Sequence, residues 1–300
     1  CRQCHVCRGA RSISTDSGLQ TAVANWLDRD DLSARIPEFV ALAETRMNRV
    51  LRIRIMEKEQ ILSTIGGSKR YLMPTDYLQM LAIKYNNSQI ASTTLNGDIS
   101  DSVASITLTD ASSLSASGTI LIGTEQITYS GKIANVLTVS ARGANSTTKA
   151  EHTTGATVVE IYTTWGSGSI STGASSIRTM QYITPEIMAR TNTGTSTGLP
   201  QSYTMRAGYI YFGPVPDAVY TVEMTYYAKI PSLSDVTTTS TMLTHNPDLY
   251  LYGALLEAEP FLMNDARIQL WATAFGEAVN NLQLQDDKDS HSGTELRVMN

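Results

Sequence analysis

The first residues of the sequence carry the side chains best suited to metal binding. Cys1, Cys4 and Cys7 stand three positions apart, and His5 lies among them. Thiolates at this spacing can hold a zinc ion or an iron–sulfur cluster. A structural zinc site needs a fourth ligand, however, and the next histidine after this group is His152. We therefore predict that the chain binds no metal or other cofactor and that its fold depends on no disulfide bond.

The histidines are the next candidates for acid–base chemistry. They are His5, His152, His245 and His291, and they are widely separated in sequence. We predict that each is a surface residue rather than a catalytic base. The sequence also contains no phosphate-binding glycine loop, no serine-hydrolase elbow and no zinc-protease helix motif.

The paired carboxylates are equally poor candidates for catalysis. Glu257 and Glu259 are two positions apart on a predicted helix, so their side chains point about 200° apart and cannot act together as acid and base. Asp286, Asp287 and Asp289 resemble part of a calcium loop but lack its glycine and its bidentate glutamate. We therefore predict that the protein is not an enzyme.

Composition limits the class of protein further. The chain has 300 residues, 42% of them apolar and 17% charged, which is typical of a folded protein with one main domain plus an insertion or a second small domain. Its net charge of −5 excludes a dominant basic surface for nucleic acid. No apolar run reaches the roughly 18 residues that a membrane helix needs. We expect no membrane contact and synthesis in the cytoplasm.

Two amphipathic helices are predicted near the start of the chain. Residues 16–29 place apolar side chains at helical spacing after a capping Asp or Ser, and residues 36–54 continue the pattern. Four arginines follow one another towards the end of the second helix: Arg46, Arg49, Arg52 and Arg54. They are either a solvated face near a helix C-terminus, where cations are favoured, or a surface that faces an acidic partner or passing DNA.

The middle of the sequence has a different composition. Residues 86–176 are rich in Ser, Thr and Gly, and they contain short alternating strands separated by turn residues. We interpret residues 93–163 as an inserted β domain with a small antiparallel sandwich or barrel. After the insertion, a short helix is predicted near Pro185.

A tyrosine-rich segment follows the short helix. Residues 203–231 are interpreted as two long strands joined by a proline-rich turn at 213–217. Its tyrosines alternate along the strands and either pack across them or line a ligand cleft: Tyr209, Tyr211, Tyr220, Tyr226 and Tyr227.

Two further helices are predicted near the end of the chain. The first begins at Asn246 and Pro247, and Pro260 should kink or divide it. The second carries an apolar stripe that includes Trp271, Phe275 and Leu282. That stripe needs a partner, which is either the N-terminal helical hairpin or a neighbouring subunit.

Several strings in this sequence together resemble one family. They lie at residues 74–85 (PTDYLQMLAIKY), 183–190 (ITPEIMAR), 208–217 (GYIYFGPVPD), 222–235 (VEMTYYAKIPSLSD) and 246–271 (NPDLYLYGALLEAEPFLMNDARIQLW). Their order and spacing resemble the head-to-tail adaptor, or connector, proteins of short-tailed phages. The resemblance implies an α+β fold in which a helical bundle from the N- and C-terminal helices accompanies a β portion. The inserted β domain departs from the plain adaptors.

The residue patterns and the resemblance together give an expected organisation of the chain. Residues 1–15 are then a flexible leader, 16–92 and 164–285 form the adaptor core, 93–163 form the insert, and 286–300 form a C-terminal docking tail. The partners are the portal protein, tail nozzle, hub or fibre proteins, and copies of the chain itself in a ring of twelve. Genomic DNA passes through without specific binding. The location is the neck of the virion, after assembly in the host cytoplasm.

Two hypotheses assign residues to these contacts. The portal or subunit interface comprises Trp271, Phe275 and Leu282, together with Leu296 and Val298 in the tail. The channel-facing basic residues are the four arginines between 46 and 54. The alternative function is a tail-fibre or receptor- and carbohydrate-binding virion protein, which the Ser, Thr and Tyr content of the strands suggests.

Overall fold

The computed structural model describes residues 13–29, 31–86, 92–167, 177–191, 196–234, 237–263 and 265–290. The helices in these ranges are α1 (Asp16–Leu27), α2 (Ile36–Val50), α3 (Pro185–Thr191), α4 (Thr241–His245), α5 (Pro247–Leu262) and α6 (Asp265–Ser290). The first strands are β1 (Glu57–Ser63), β2 (Arg70–Leu72), β3 (Tyr77–Asn86), β4 (Ser92–Thr94), β5 (Ser105–Thr107), β6 (Gly118–Ile122), β7 (Glu125–Ile133) and β8 (Val136–Ala141). The others are β9 (Thr157–Ile161), β10 (Gly166–Ser167), β11 (Ile177–Thr179), β12 (Gln181–Tyr182), β13 (Ser202–Arg206), β14 (Tyr209–Gly213) and β15 (Thr221–Ala228). This mixture confirms the α+β prediction.

The chain divides into two compact units. One, the helical unit, combines Cys1–Glu57 with Tyr227–Asn300, and the other, the β unit, is Lys58–Tyr226. The helical unit thus joins segments from both ends of the sequence.

Helix α5 is the centre of the helical unit. It contacts α1, α2, α4 and α6, and most of its residues are buried. The helix begins at Pro247, whose missing N–H suits a first helical position. It ends two residues after Pro260, where Met263 adopts a left-handed conformation with φ 53°. Pro260 therefore lies in the last turn, and α6 starts as a separate helix, as its sequence predicts.

Three helices meet at one glycine of α5. A Cβ atom on Gly253 would lie 3.0 Å from the Cβ of Ala43 in α2 and 3.3 Å from a ring carbon of Phe275 in α6. Glycine normally weakens a helix by about 1 kcal/mol relative to alanine. Here the absent side chain allows α2 and α6 to approach α5 closely.

Replacing Gly253 with valine is expected to lower the free energy of unfolding by about 1–3 kcal/mol, because the added methyl groups overpack this crossing. Urea unfolding followed by far-UV circular dichroism measures the change. The control is Gly276→Ala in α6, whose Cβ would meet open space. That substitution is expected to stabilise the protein by about 1 kcal/mol or less, and equal effects of the two changes would contradict the packing argument.

The described residues of the β unit form two sheets besides the one built from β4 to β9. The first has the strand order β10-β1-β15-β3-β11, and the second has the order β12-β13-β14-β2. The tyrosine-rich segment contributes to both. The prediction of two long strands is wrong here, because Ala207 and Gly208, with φ values of 52° and 77°, form a tight turn that divides the first of them into β13 and β14. The segment 213–217 then crosses to the other sheet, where β15 pairs.

The strands predicted within residues 93–163 are all present as β5 to β9, and they form one antiparallel sheet with the order β4-β9-β6-β7-β8-β5. Its edge strands approach each other, since Leu95 and Leu108 form a β-bridge and the amide of Thr109 donates to the carbonyl of Thr94. The sheet therefore curves into a half-barrel around an apolar core. That core includes Leu95, Ile106, Leu108, Ile120, Ile122, Ile127, Leu137 and Val158.

A buried ionic cluster closes one end of this half-barrel. The carboxylate of Glu125 accepts two hydrogen bonds from the guanidinium of Arg142, both 2.8 Å long, and lies 2.8 Å from Nε2 of His152. The amides of Gly143 and Ala150 also donate to it. The prediction that His152 is a surface residue is wrong, because its ring packs against this carboxylate.

The cluster determines the ionisation of Glu125. Burial by itself would raise the pKa of this carboxyl, but the hydrogen bonds from Arg142, from His152 and from the two amides outweigh burial and lower the pKa to about 2. Glu125 is therefore ionised throughout the neutral and mildly acidic range.

Candidate interaction surfaces

The predicted interface stripe on α6 is partly buried by other residues of the same chain. Phe275 is only 6% exposed and packs beside Gly253 of α5. Trp271 and Leu282 are half-buried and keep some accessible surface. Of the three predicted residues on α6, these two alone retain surface for an external contact.

Trp271 takes part in an aromatic cluster. Its ring lies 5.6 Å from that of Trp26 in α1 and stacks at 6.2 Å on Tyr252 of α5. Its indole Nε1 donates a 2.9 Å hydrogen bond to Oε1 of Glu259, a fully buried carboxylate of α5. The other oxygen of Glu259 has no hydrogen-bond partner among the described residues. Trp271 therefore links α6 to α5 by packing and by hydrogen bonding.

The apolar surface that stays exposed lies elsewhere on these helices. Leu270 and Leu284 of α6 are 58% and 48% exposed. They are separated by 14 positions, close to four helical turns, so they lie on one face of α6. Leu42 and Val50 of α2 are also about half exposed and share a face of that helix. The exposed apolar residues of the helical unit thus lie on two different helices, both of which pack against α5.

The four arginines of the predicted channel surface differ in their surroundings. Arg46 forms a 2.6 Å ion pair with Glu257 of α5. Arg54 pairs with Asp286 at 3.1 Å and with Asp289 at 3.7 Å.

The surroundings of the other two arginines are different. Arg52 donates to the backbone carbonyls of Asn48 and Leu51. Arg49 is exposed, and no ion pair to it occurs within the ranges described above. Charge neutralisation within the chain thus reduces the basic character of this surface.

The acidic residues near the end of α6 have a structural role. Asp286 accepts hydrogen bonds from the backbone amide and from Nε of Arg54. Helix α6 extends through Ser290, five residues into the segment predicted to be a tail. Leu296 and Val298 lie outside the described residues, as do Cys1, Cys4, Cys7 and His5.

A basic and aromatic face on the second sheet was missed by the sequence analysis. The guanidinium of Arg70 lies 5.2 Å from the ring centre of Tyr209, and that of Arg206 lies 5.4 Å from the ring centre of Tyr211. These residues come from three adjacent strands. The alternation of Tyr209 and Tyr211 signalled a strand, but only the register of β2, β14 and β13 brings the arginines over the rings.

For Tyr226, the structure decides between the two interpretations of the alternating tyrosines, cross-strand packing and a ligand cleft. Tyr226 is buried and packs at 5.8 Å on Tyr77 of the neighbouring strand, which is cross-strand packing. Its hydroxyl donates to Asp76 over 2.8 Å. Burial and the nearby Asp76 carboxylate both raise the pKa of this phenol.

The described residues contain neither clustered metal ligands nor a helix suited to a bilayer. No group of three or more His, Cys, Asp or Glu side chains in that part of the chain is arranged to hold a metal ion. Among the helices described, none combines the length and the apolar character required to cross a bilayer.

These features belong to a protein that presents exposed apolar and basic–aromatic surfaces. A model of the family described as SU10 adaptor protein matches residues 15–298, so the chain belongs to this family of phage adaptor proteins. The match confirms the resemblance found in the sequence strings and implies a location in the virion. No curated protein matches the chain.

Proposed function

We propose that the protein is a head-to-tail adaptor that forms a ring of twelve copies beneath the portal protein and continues the DNA channel towards the tail. The family match over residues 15–298 is the observation that carries this proposal. The bundle built from both ends of the chain would be the ring-forming part. Tail nozzle, hub or fibre proteins would bind on the side away from the portal.

The exposed leucines support ring formation. A cyclic ring needs two different surfaces on each subunit, because each copy contacts its two neighbours through unlike faces. The helical unit has such surfaces on α2, with Leu42 and Val50, and on α6, with Leu270 and Leu284. Burying a leucine side chain contributes about 1.5–3 kcal/mol, so four residues per joint are a substantial contribution.

The predicted tail contact remains part of the proposal. Leu296 and Val298 would dock on the portal or on a neighbouring subunit, and Leu282 and Trp271 would border that contact. Phe275 is left out because its ring is buried within its own chain.

DNA passage fits the charge distribution of the chain. The net charge is −5, and two of the four predicted channel arginines, Arg46 and Arg54, are already paired with carboxylates. Few phosphate contacts per subunit mean little counterion release and weak binding. We therefore propose that DNA slides through the ring without specific contacts and that Arg46, Arg49, Arg52 and Arg54 are the basic residues nearest to it.

The ring proposal is tested by charging the α6 face. The double variant Leu270→Asp, Leu284→Asp is expected to fold, because both side chains are exposed, and to lose retention on portal-bearing particles by about a hundredfold. The measurements are co-purification with the portal protein and electron microscopy of the neck at a resolution that separates subunits.

The matched control for this test lies in the β unit. Ile133 is 79% exposed at the β7–β8 hairpin, and Ile133→Asp is expected to be retained like the unchanged protein. Full retention of the double variant, or a neck that lacks this chain, would refute the ring proposal.

A further inference from the structure

A cavity of about 140 Å³ lies in the β unit between α3 and the strands β13 and β14. Its apolar lining includes Met188 of α3, Phe212 of β14 and Val215. The exposed side chains of Lys69 and Arg206 also line it, so they mark the side on which it opens to solvent. The cavity is thus an apolar recess with a basic mouth.

One polar group inside this recess lacks a partner. Thr204 lines the cavity and is 3% exposed, and its hydroxyl makes no hydrogen bond to any described residue. A buried hydroxyl without a partner costs about 1–3 kcal/mol. A peptide whose apolar side chain enters the recess can bring one of its own backbone carbonyls to this hydroxyl as the acceptor, after rotation of the threonine side chain, and that would remove the cost.

Both cations at the mouth lack an acidic partner among the described residues. Neither Lys69 nor Arg206 forms an ion pair there, and the described residues that line the cavity include no Asp or Glu. Arg70 lies on the same face of the sheet, over Tyr209. The mouth is therefore complementary to carboxylates.

We infer that this cavity is a docking site for an acidic peptide segment of a partner protein, with one bulky apolar side chain in the recess and flanking carboxylates on Lys69 and Arg206. An apolar protein cavity of about 150 Å³ holds one benzene molecule, so the recess suits a single Phe, Leu or Met side chain. A side chain buried in a pocket and rimmed by ion pairs is the usual form of an interface anchor. This inference does not depend on ring formation.

The test uses the full-length protein and a labelled pentapeptide, acetyl-Asp-Glu-Phe-Glu-Asp-amide, followed by fluorescence anisotropy. We expect saturable binding that weakens with salt. Replacing the acidic residues by Asn and Gln, or the Phe by Ala, is expected to weaken binding by about tenfold in each case. Arg206→Gln and Lys69→Gln are each expected to weaken it by about fivefold.

Two further variants separate recognition from folding. Thr204→Val is expected to weaken peptide binding by about threefold while leaving the thermal midpoint unchanged or raised, because it removes the unpaired hydroxyl. Arg190→Gln, on the exposed side of α3 and outside the cavity lining, is the matched control and should bind like the unchanged protein.

Three results would each overturn the inference. They are equal binding of the neutral peptide, equal binding by the Arg206 and Arg190 variants, and binding of a DNA duplex through Arg206 without binding of the peptide.

Discussion

Arg142→Met is expected to lower the free energy of unfolding of the half-barrel by about 3–5 kcal/mol, because it leaves the carboxylate of Glu125 buried without its main counter-charge. Arg142 also donates to the carbonyls of Ser100 and Ala150, so the variant breaks contacts to two loops as well. Chemical unfolding followed by circular dichroism measures the loss, and hydrogen exchange of β7 and β8 locates it in this sheet.

The pH dependence of stability gives a second measure of the same cluster. Because folding lowers the pKa of Glu125 from 4.5 to about 2, its contribution is complete above the ordinary carboxyl value and is lost as the pH falls from there towards 2. We expect Glu125→Gln to be less stable at neutral pH and to show a flatter stability profile in that window. If the stability of Glu125→Gln depends on pH in the same way as that of the unchanged protein, the lowered pKa of Glu125 is contradicted.

The double variant Arg142→Met, Glu125→Met is the control for charge burial. It removes both ions, and buried ion pairs replaced by apolar residues are often tolerated. We expect it to recover a large part of the stability lost in Arg142→Met. If the double variant instead loses as much free energy of unfolding as the two single substitutions added together, then lost packing, and not the unpaired charge, causes the effect.

Trp271→Phe is expected to be almost as damaging in the helical unit, at about 3 kcal/mol. Phenylalanine keeps most of the aromatic packing on Trp26 and Tyr252 but cannot donate to Glu259. That carboxylate is fully buried and has Trp271 as its hydrogen-bond donor, so the variant leaves it unsatisfied. Urea unfolding measures the loss, and hydrogen exchange of α5 amides should show it locally.

The control for this prediction changes the carboxylate instead. Glu259→Met in the Trp271→Phe background removes the unsatisfied group and is expected to restore most of the stability. If Trp271→Phe and the double variant are equally unstable, the lost hydrogen bond to Glu259 does not explain the instability. The lost packing of the indole ring then explains it.

The elements that follow from local patterns were predicted well. Helical spacing placed α1, α2 and α6, and the proline at position 247 located the start of α5. Alternation and turn residues located β5 to β9 in the insertion. Each of these signals lies within about ten to twenty neighbouring residues, which is why a sequence displays it directly.

The pairing of strands was predicted less well. The interpretation of residues 203–231 as one long hairpin failed because the turn at Ala207–Gly208 is short and β15 pairs in a different sheet from β14. Alternation is the same whichever partner a strand has, so the sequence pattern does not distinguish the two topologies.

The chemistry of single residues depended most on distant contacts. His152 looked like a loop residue, yet it packs on Glu125, which lies 27 positions away. Phe275 and Leu282 belong to one apolar stripe, but only the crossing at Gly253 decides that Phe275 is buried by its own chain.

The amino-acid sequence by itself determined the two helical ends, the strands within residues 93–163 and the family, because periodicity, composition and the order of motifs can be read along the chain without knowing which residues are in contact. The tertiary structure alone decided which charges are paired, which apolar residues remain exposed and where a recess with a basic mouth forms. These depend on groups far apart in the chain that folding brings within a few ångströms of each other.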